Sequence, residues 1–151
     1  MDEEIIKLAK KFNVNLNYQE IDVSKLKFDR RVRWKCLFGC NFYGRRSCPP
    51  HIPEFEECVK FVTSYKKAIL FKFNISSRED KVKAQRFLLE IEKELLKNYP
   101  FVFAVFPGGC ELCEECKDVC HLARPSLSAL CIDASNLELK ENEMAGLLFL
   151  Y

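Results

Sequence analysis

Apolar and polar positions recur along this chain with periods that change several times. Apolar residues within 3–13 share one helical face, and Leu16 and Tyr18 then alternate with polar neighbours as in a half-buried strand. A second amphipathic helix is predicted over residues 54–65, and a buried strand over residues 68–75.

The second half of the chain continues this alternation of element types. Ser76 and Glu79 predict a capping box that opens a long helix ending near Asn98. Alternating helices and strands predict an α/β or α+β fold in which helices cover a small sheet. The remaining predicted elements are a buried strand over 101–106, a short helix near 126–130 and a final strand over 147–151.

Two segments interrupt the pattern and hold most of the cysteines. Residues 24–53 are predicted to be irregular, and Pro107-Gly108-Gly109 ends a strand just before a second irregular stretch. Seven of the nine cysteines lie in these segments. Loops anchored on a rigid sheet often carry the chemistry of a protein, so we expect two cysteine-rich metal-binding loops.

Composition narrows the class of protein further. A length of 151 residues predicts one domain spanning 1–151, and a net charge of +2 supports neither a nucleic-acid partner nor a membrane. The acidic start Met1-Asp2-Glu3-Glu4 does not resemble a secretion signal, which predicts a cytoplasmic protein. In that reducing compartment, cysteines act as metal ligands or redox groups rather than disulfides.

The second cysteine group has the more informative spacing. It runs Cys110-x2-Cys113-x2-Cys116-x3-Cys120, which is the pattern by which bacterial ferredoxins bind a [4Fe-4S] cluster. His121 replaces the proline of that pattern, and the motif occurs once, so Cys120 can serve this centre or a neighbouring one. A four-thiolate zinc site is the alternative, although zinc sites usually separate their cysteine pairs more widely.

The first group runs Cys36-x3-Cys40-x7-Cys48 and is followed by His51. Three thiolates would leave a fourth position for a substrate, His51 or another cysteine; His51 is otherwise an ordinary loop histidine. Seven thiolates are one fewer than two fully ligated clusters need, so the cofactor is one or two [4Fe-4S] clusters.

Cys58 and Cys131 lie outside both groups. Each has apolar neighbours in sequence, which predicts thiols that pack in the core like small hydrophobic side chains.

Charge is unevenly distributed around the two groups. The basic loop over 25–46 is predicted to dock a redox partner protein. Nucleic acid is not an expected partner, because the net charge of the whole chain is low. Its basic residues are Lys25, Lys27, Arg30, Arg31, Arg33, Lys35, Arg45 and Arg46. The acidic residues near the second group are Glu111, Glu114, Glu115 and Asp118.

The first loop resembles the N-terminal signature of a family of uncharacterised, predicted metal-binding proteins of archaea and anaerobic bacteria, a cysteine-rich domain of unknown function. The residues that carry the resemblance are Cys36-x3-Cys40-x2-Tyr43-Gly44-Arg45-x2-Cys48-Pro49-Pro50-His51-x-Pro53. The second signature of the family is similar to Gly108–Cys116, Cys120, Ala123-Arg124-Pro125-Ser126 and Ile132-Asp133. Cys131 stands where the family has a glycine. The resemblance implies seven ligands, which are Cys36, Cys40, Cys48, Cys110, Cys113, Cys116 and Cys120.

Together these features predict an iron-sulfur protein with a role in electron transfer or in cluster-based redox or sulfur chemistry. The alternative is a zinc-stabilised, non-catalytic module that presents its basic patch to a protein or nucleic acid. The sequence assigns no catalytic residue. We also expect the two cysteine groups to converge, with sulfurs within about 15 Å of each other on the scale of such a domain.

Overall fold

The computed structural model describes residues 1–117 and 119–151; Asp118, one of the predicted acidic neighbours, lies outside the described residues. Four helices and a four-stranded antiparallel sheet give an α+β fold, which confirms the second of the two predicted fold classes. The helices are α1 (Asp2–Phe12), α2 (Arg30–Gly39), α3 (Phe55–Thr63) and α4 (Arg78–Leu95). The strands are β1 (Leu16–Asp22), β2 (Lys67–Asn74), β3 (Phe103–Val105) and β4 (Glu143–Phe149).

The sheet has the order β1-β2-β4-β3, so β2 and β4 are its inner strands. Leu16 of β1 lies opposite Phe73, and Ala68 of β2 lies opposite Phe149. Phe103 of the short strand β3 also lies opposite Phe149, on its other side. The last strand in sequence therefore joins the two halves of the sheet.

Each face of the sheet has its own hydrophobic core, because successive side chains of a strand point to opposite faces. On one face, Phe71 and Phe73 of β2 and Leu148 of β4 pack with α1 and α4. On the other face, Leu70 and Leu147 pack with buried residues of α3 and of the segment after the second cysteine loop. The cysteine loops leave this three-layered scaffold at the ends of its elements.

The predicted irregular segment 24–53 contains helix α2, which the sequence did not reveal. The carboxylate of Asp29 caps the helix by accepting the backbone N–H of Arg31 at 2.9 Å. Of its ten residues only Cys36 is buried, whereas Trp34 and Phe38 are 63% and 77% exposed. A helix with so small a buried face lacks the apolar periodicity that sequence patterns detect.

Two further boundaries differ from prediction. The N-cap of α4 is Ser77, whose Oγ accepts the Asp80 N–H at 3.1 Å, while Ser76 donates to the Asp80 carboxylate instead. Strand β4 begins at Glu143, four residues before the predicted start, and the predicted short helix is a single 3₁₀ turn over Ser128–Leu130.

In the described part of the chain, no helix combines the length and apolar character needed to cross a bilayer.

A half-buried ion pair fastens the segment that follows the second cysteine loop. Arg124 donates from Nε and Nη2 to the carboxylate of Glu92 on α4, at 3.0 and 2.7 Å. Glu92 also accepts the backbone N–H of Ala104 in β3 at 2.6 Å. Arg124 therefore holds the end of the loop against both α4 and β3.

We expect Glu92→Gln to destabilise the fold by about 2–4 kcal/mol, because it leaves the Arg124 guanidinium without a counter-charge in a partly buried place. The matched change Glu94→Gln removes only an exposed contact to Lys97 and should cost less than about 1 kcal/mol. Urea unfolding followed by circular dichroism measures both. Equal stabilities for the two variants would contradict a structural role for this ion pair.

Candidate metal centre

The three thiols of the first group lie close together around the end of α2. Cys36 is buried on the helix, Cys40 is the exposed residue that ends it, and Cys48 is buried at the far end of the loop. Consecutive tight turns join them, with the Cys48 N–H donating to the Arg45 carbonyl at 3.0 Å and the Arg45 N–H to the Phe42 carbonyl at 3.1 Å.

The electrostatics of these thiols reflect both burial and proximity. Burial and then the neighbouring Cys40 thiol raise the pKa of Cys36, and the same causes raise the pKa of Cys48 to about 11. Both side chains are therefore neutral thiols at pH 7. A metal must displace their protons to bind, so metal affinity should increase as pH rises.

The second cysteine loop leaves β3 through Pro107-Gly108-Gly109. Gly108 has a φ of +77°, a conformation that side chains disfavour. Burial raises the pKa of Cys110 and a backbone hydrogen bond of Leu112 lowers it, while the nearby thiols of the same group raise it further. Cys110 and Cys120 are half-buried, whereas Cys113 and Cys116 are exposed.

Helix α4 anchors the start of this loop through Gln85, whose side chain is fully buried. Its amide donates to the Gly109 carbonyl at 2.9 Å, and its Oε1 accepts the Glu111 N–H at 2.9 Å. These bonds fix the backbone on either side of Cys110. Gln85 therefore positions the first ligand candidate of the loop.

Backbone N–H groups point at the sulfurs of the second group. Leu122 and Ala123 donate to Cys120 Sγ at 3.4 and 3.3 Å. Arg46, from the first loop, donates its backbone N–H to Cys116 Sγ at 3.2 Å. Such N–H···S bonds stabilise thiolates and tune the potential of iron-sulfur clusters.

The contact of Arg46 is part of a joint between the two cysteine loops. The Phe42 ring packs directly on Gly109, and Arg45 donates from Nη1 to the Cys110 carbonyl at 3.0 Å. Since Cys48 follows Arg46 within a tight turn, its sulfur lies within about 15 Å of Cys116 by chain geometry. The predicted convergence of the two groups is confirmed.

Cations from two segments lie at this joint. The guanidinium of Arg45 lies 5.0 Å from the centre of the Phe42 ring, and the ammonium of Lys81 on α4 lies 4.3 Å from it. Lys81 is also 3.7 Å from Glu111, and burial lowers its pKa. Cations from elsewhere in the fold therefore offset Glu111, one of the four acidic residues predicted near the second group.

Much of the predicted basic loop is already paired. Arg30 binds Glu56 at 2.6 Å, Arg31 binds Asp29 at 2.6 Å, and Arg33 points inward. The patch available to a partner is therefore smaller than the sequence indicates.

The residues present suit a metal bound by thiolates, although they do not form a finished site. Over residues 1–117 and 119–151, no three cysteine, histidine or carboxylate side chains stand close enough to hold one metal ion. Soft thiolates select zinc, copper(I) or iron-sulfur centres, and the second loop supplies four of them with N–H donors already in place. His51 is exposed in the first loop, and its role as a ligand stays a prediction.

Cys58 and Cys131 are buried, as predicted, but they share a polar neighbour. Arg33 donates to the Cys58 sulfur at 3.5 Å and to the Ala129 carbonyl at 2.8 Å. Burial raises the pKa of both thiols, and the nearby guanidinium partly offsets that increase. Cys131 has a φ of 61°, which agrees with a position where glycine would be favourable.

Replacing Cys58 or Cys131 with alanine should cost about 1 kcal/mol, since each change removes only one buried sulfur atom. Metal content should stay unchanged in both variants. Chemical denaturation and metal analysis of the same preparations test this. Loss of a centre in Cys131→Ala would instead identify that thiol as a ligand.

The positioning residues on α4 were not identified from the sequence, although a signal was present. Lys81 and Gln85 occupy the same helical face as Ala84 and Leu88, which is the buried face. Polar residues at apolar positions of an amphipathic helix need a buried partner. Their partner is the second cysteine loop, which the sequence places about 25 residues downstream.

Comparison with known proteins bears on the metal. No curated protein and no solved structure matches the chain. A family model described as "Predicted metal-binding protein (DUF2284)" matches residues 19–145. That match spans α2, both cysteine loops and the anchoring residues Gln85, Glu92 and Arg124. The chain is therefore a member of this family of predicted metal-binding proteins.

Proposed function

We propose that this protein is an iron-sulfur electron-transfer protein whose principal [4Fe-4S] cluster is held by the second cysteine loop. Cys110, Cys113, Cys116 and Cys120 would be its ligands. The observation that carries the proposal is the set of three backbone N–H groups donated to the sulfurs of Cys116 and Cys120. A bound cluster would supply one-electron redox chemistry.

The chain's own residues would control the potential of that cluster. Lys81 and Arg45 place positive charge at the start of the loop, beside the Cys110 backbone and the Phe42 ring. Positive charge near a cluster favours its reduced, more anionic form and raises its potential. The N–H donors act in the same direction.

The first group would bind a second centre through Cys36, Cys40 and Cys48, in the cytoplasm of an anaerobic organism. A groove beside Cys36 and Cys40 is lined by Trp34, Phe38 and Lys35, with the two aromatic rings stacked at 5.6 Å. Exposed aromatic residues beside a cation suit the docking of an acidic redox partner. Electrons would enter or leave at this groove.

Purification without oxygen, followed by iron, acid-labile sulfide and zinc analysis, tests the function. We expect brown protein with roughly equimolar iron and sulfide. Colourless protein with stoichiometric zinc, which takes up no iron and sulfide on anaerobic reconstitution, would overturn the proposal. That outcome would favour a zinc-stabilised module.

A further inference from the structure

A cleft of about 420 Å³ opens between the two cysteine loops and helix α3. One wall is the end of the first loop, and the opposite wall is β3 with the segment that follows Cys120. Its volume lies within the range of small-molecule sites in proteins. Neither the metal ligands nor the α2 groove explain it.

The interior of the cleft is largely apolar. Its apolar walls are formed by Ile52, Pro53, Phe61, Phe103, Pro125 and Leu130. Two sulfurs also line it, those of Cys58 and of Cys120, the last cysteine of the second loop. An apolar side chain bound here would therefore lie close to Cys120, at the end of the proposed cluster loop.

A buried hydroxyl in the wall lacks a hydrogen-bond partner. Ser47 is 7% exposed, and its Oγ makes no hydrogen bond of normal geometry with the described residues. It lies near the Cys48 thiol, whose pKa is raised mainly by burial and lowered by hydrogen bonding from Ser47. A buried hydroxyl without a good hydrogen bond costs free energy. A polar group of a ligand that bonded to the Ser47 hydroxyl would remove that cost.

Two opposite charges lie on the lining of the cleft. Arg46 and Glu57 are both exposed, and neither forms an ion pair with any residue in 1–117 or 119–151. Among residues 1–117 and 119–151, the hydrogen bond of Arg46 to the second loop is made by its backbone N–H, and its side chain is exposed. One cation and one carboxylate together complement a zwitterion, whereas a simple anion would be repelled by Glu57.

We propose that this cleft binds an amino acid with an apolar side chain, its carboxylate towards Arg46 and Ser47 and its ammonium towards Glu57. The apolar side chain lies against the apolar lining formed by Ile52, Phe61 and Pro125. This binding does not depend on the proposed function.

Three probes with the same aromatic body separate the contributions to binding. L-phenylalanine carries both charges, 3-phenylpropionate only the negative one, and 2-phenylethylamine only the positive one. By titration calorimetry on anaerobically purified protein, we expect phenylalanine to bind about tenfold more tightly than either other probe, since each charged hydrogen bond contributes on that scale. Equal affinities for the three probes, or no binding of phenylalanine, would overturn the proposal.

Substitutions locate the site. Arg46→Gln keeps the backbone N–H bound to Cys116 and should weaken phenylalanine binding about tenfold, as should Glu57→Gln. Lys60→Gln, on the same helix as Glu57 but outside the cleft, is the matched control and should bind normally. Unchanged affinity in both Arg46→Gln and Glu57→Gln would exclude this cleft.

Metal analysis of each preparation separates the two hypotheses. Phenylalanine binding by protein that contains zinc would sink the proposed function and leave the cleft in place. Normal iron and sulfide content with no phenylalanine binding would do the reverse.

Discussion

Replacing Cys110 with alanine is expected to abolish metal binding by the second cysteine loop while leaving the sheet folded. Changes that merely reorient metal ligands cost about 10–100-fold in affinity, so loss of a ligand should cost more. The scaffold should persist because the buried residues of its two cores come from helices, strands and the segment after the loop, and Cys110 only packs against the edge of one core. Cys113→Ala and Cys116→Ala should behave in the same way.

Iron and sulfide content, visible absorbance and far-ultraviolet circular dichroism measure these effects. Cys58→Ala is the control, since it removes a thiol of similar size from a buried place outside both groups. If Cys110→Ala kept a full complement of metal, Cys110 would not be a ligand. If its dichroism were that of an unfolded chain, the metal would be part of the scaffold.

Replacing Gly109 with alanine should disrupt the joint between the two cysteine loops. A Cβ at this position would lie 2.5 Å from Cδ1 of the Phe42 ring, a rigid group that also contacts the cations of Arg45 and Lys81. Forcing such an atom into a packed contact costs about 1–3 kcal/mol. Gly39→Ala is the matched control, because a Cβ there meets no atom within 4 Å.

A double-mutant cycle with Phe42→Ala identifies the cause of the disruption. In protein that already lacks the Phe42 ring, Gly109→Ala should cost little, because the space that the ring occupied is open. Unfolding free energies of the four proteins give the coupling. An equal cost of Gly109→Ala with and without the ring would show that the backbone at Gly109, not the contact between the loops, is what the substitution disturbs.

The sequence was sufficient to place most of the scaffold and both cysteine groups. Helix α4 and strand β2 have long, regular apolar patterns, so their type and approximate bounds were predictable. Helix α2 was not, because its stability comes from the Asp29 cap and from Arg33, which reaches inward to the Pro53 and Ala129 carbonyls. Neither interaction produces a periodic pattern.

The joint between the loops was beyond prediction for another reason. The sequence separates Arg45 and Cys110 by 65 positions, so their hydrogen bond depends on the strand order of the whole sheet. The order β1-β2-β4-β3 cannot be read from local propensities. The sequence could not show for the same reason which charges lie near the second loop, because Lys81 approaches Glu111 only in the folded protein.

The position of β4 has a consequence for how the protein is made. A ribosome synthesises both cysteine groups before Glu143–Phe149, yet β3, which delivers the chain into the second loop, pairs only with that strand. Until β4 emerges and inserts beside β2, the thiols have no scaffold to hold them together. Pairing of strands so distant in sequence is slow compared with local folding. Nascent chains should therefore pass through a stage with free thiols that oxygen or unintended metals can reach, and metal loading should follow the synthesis and pairing of β4.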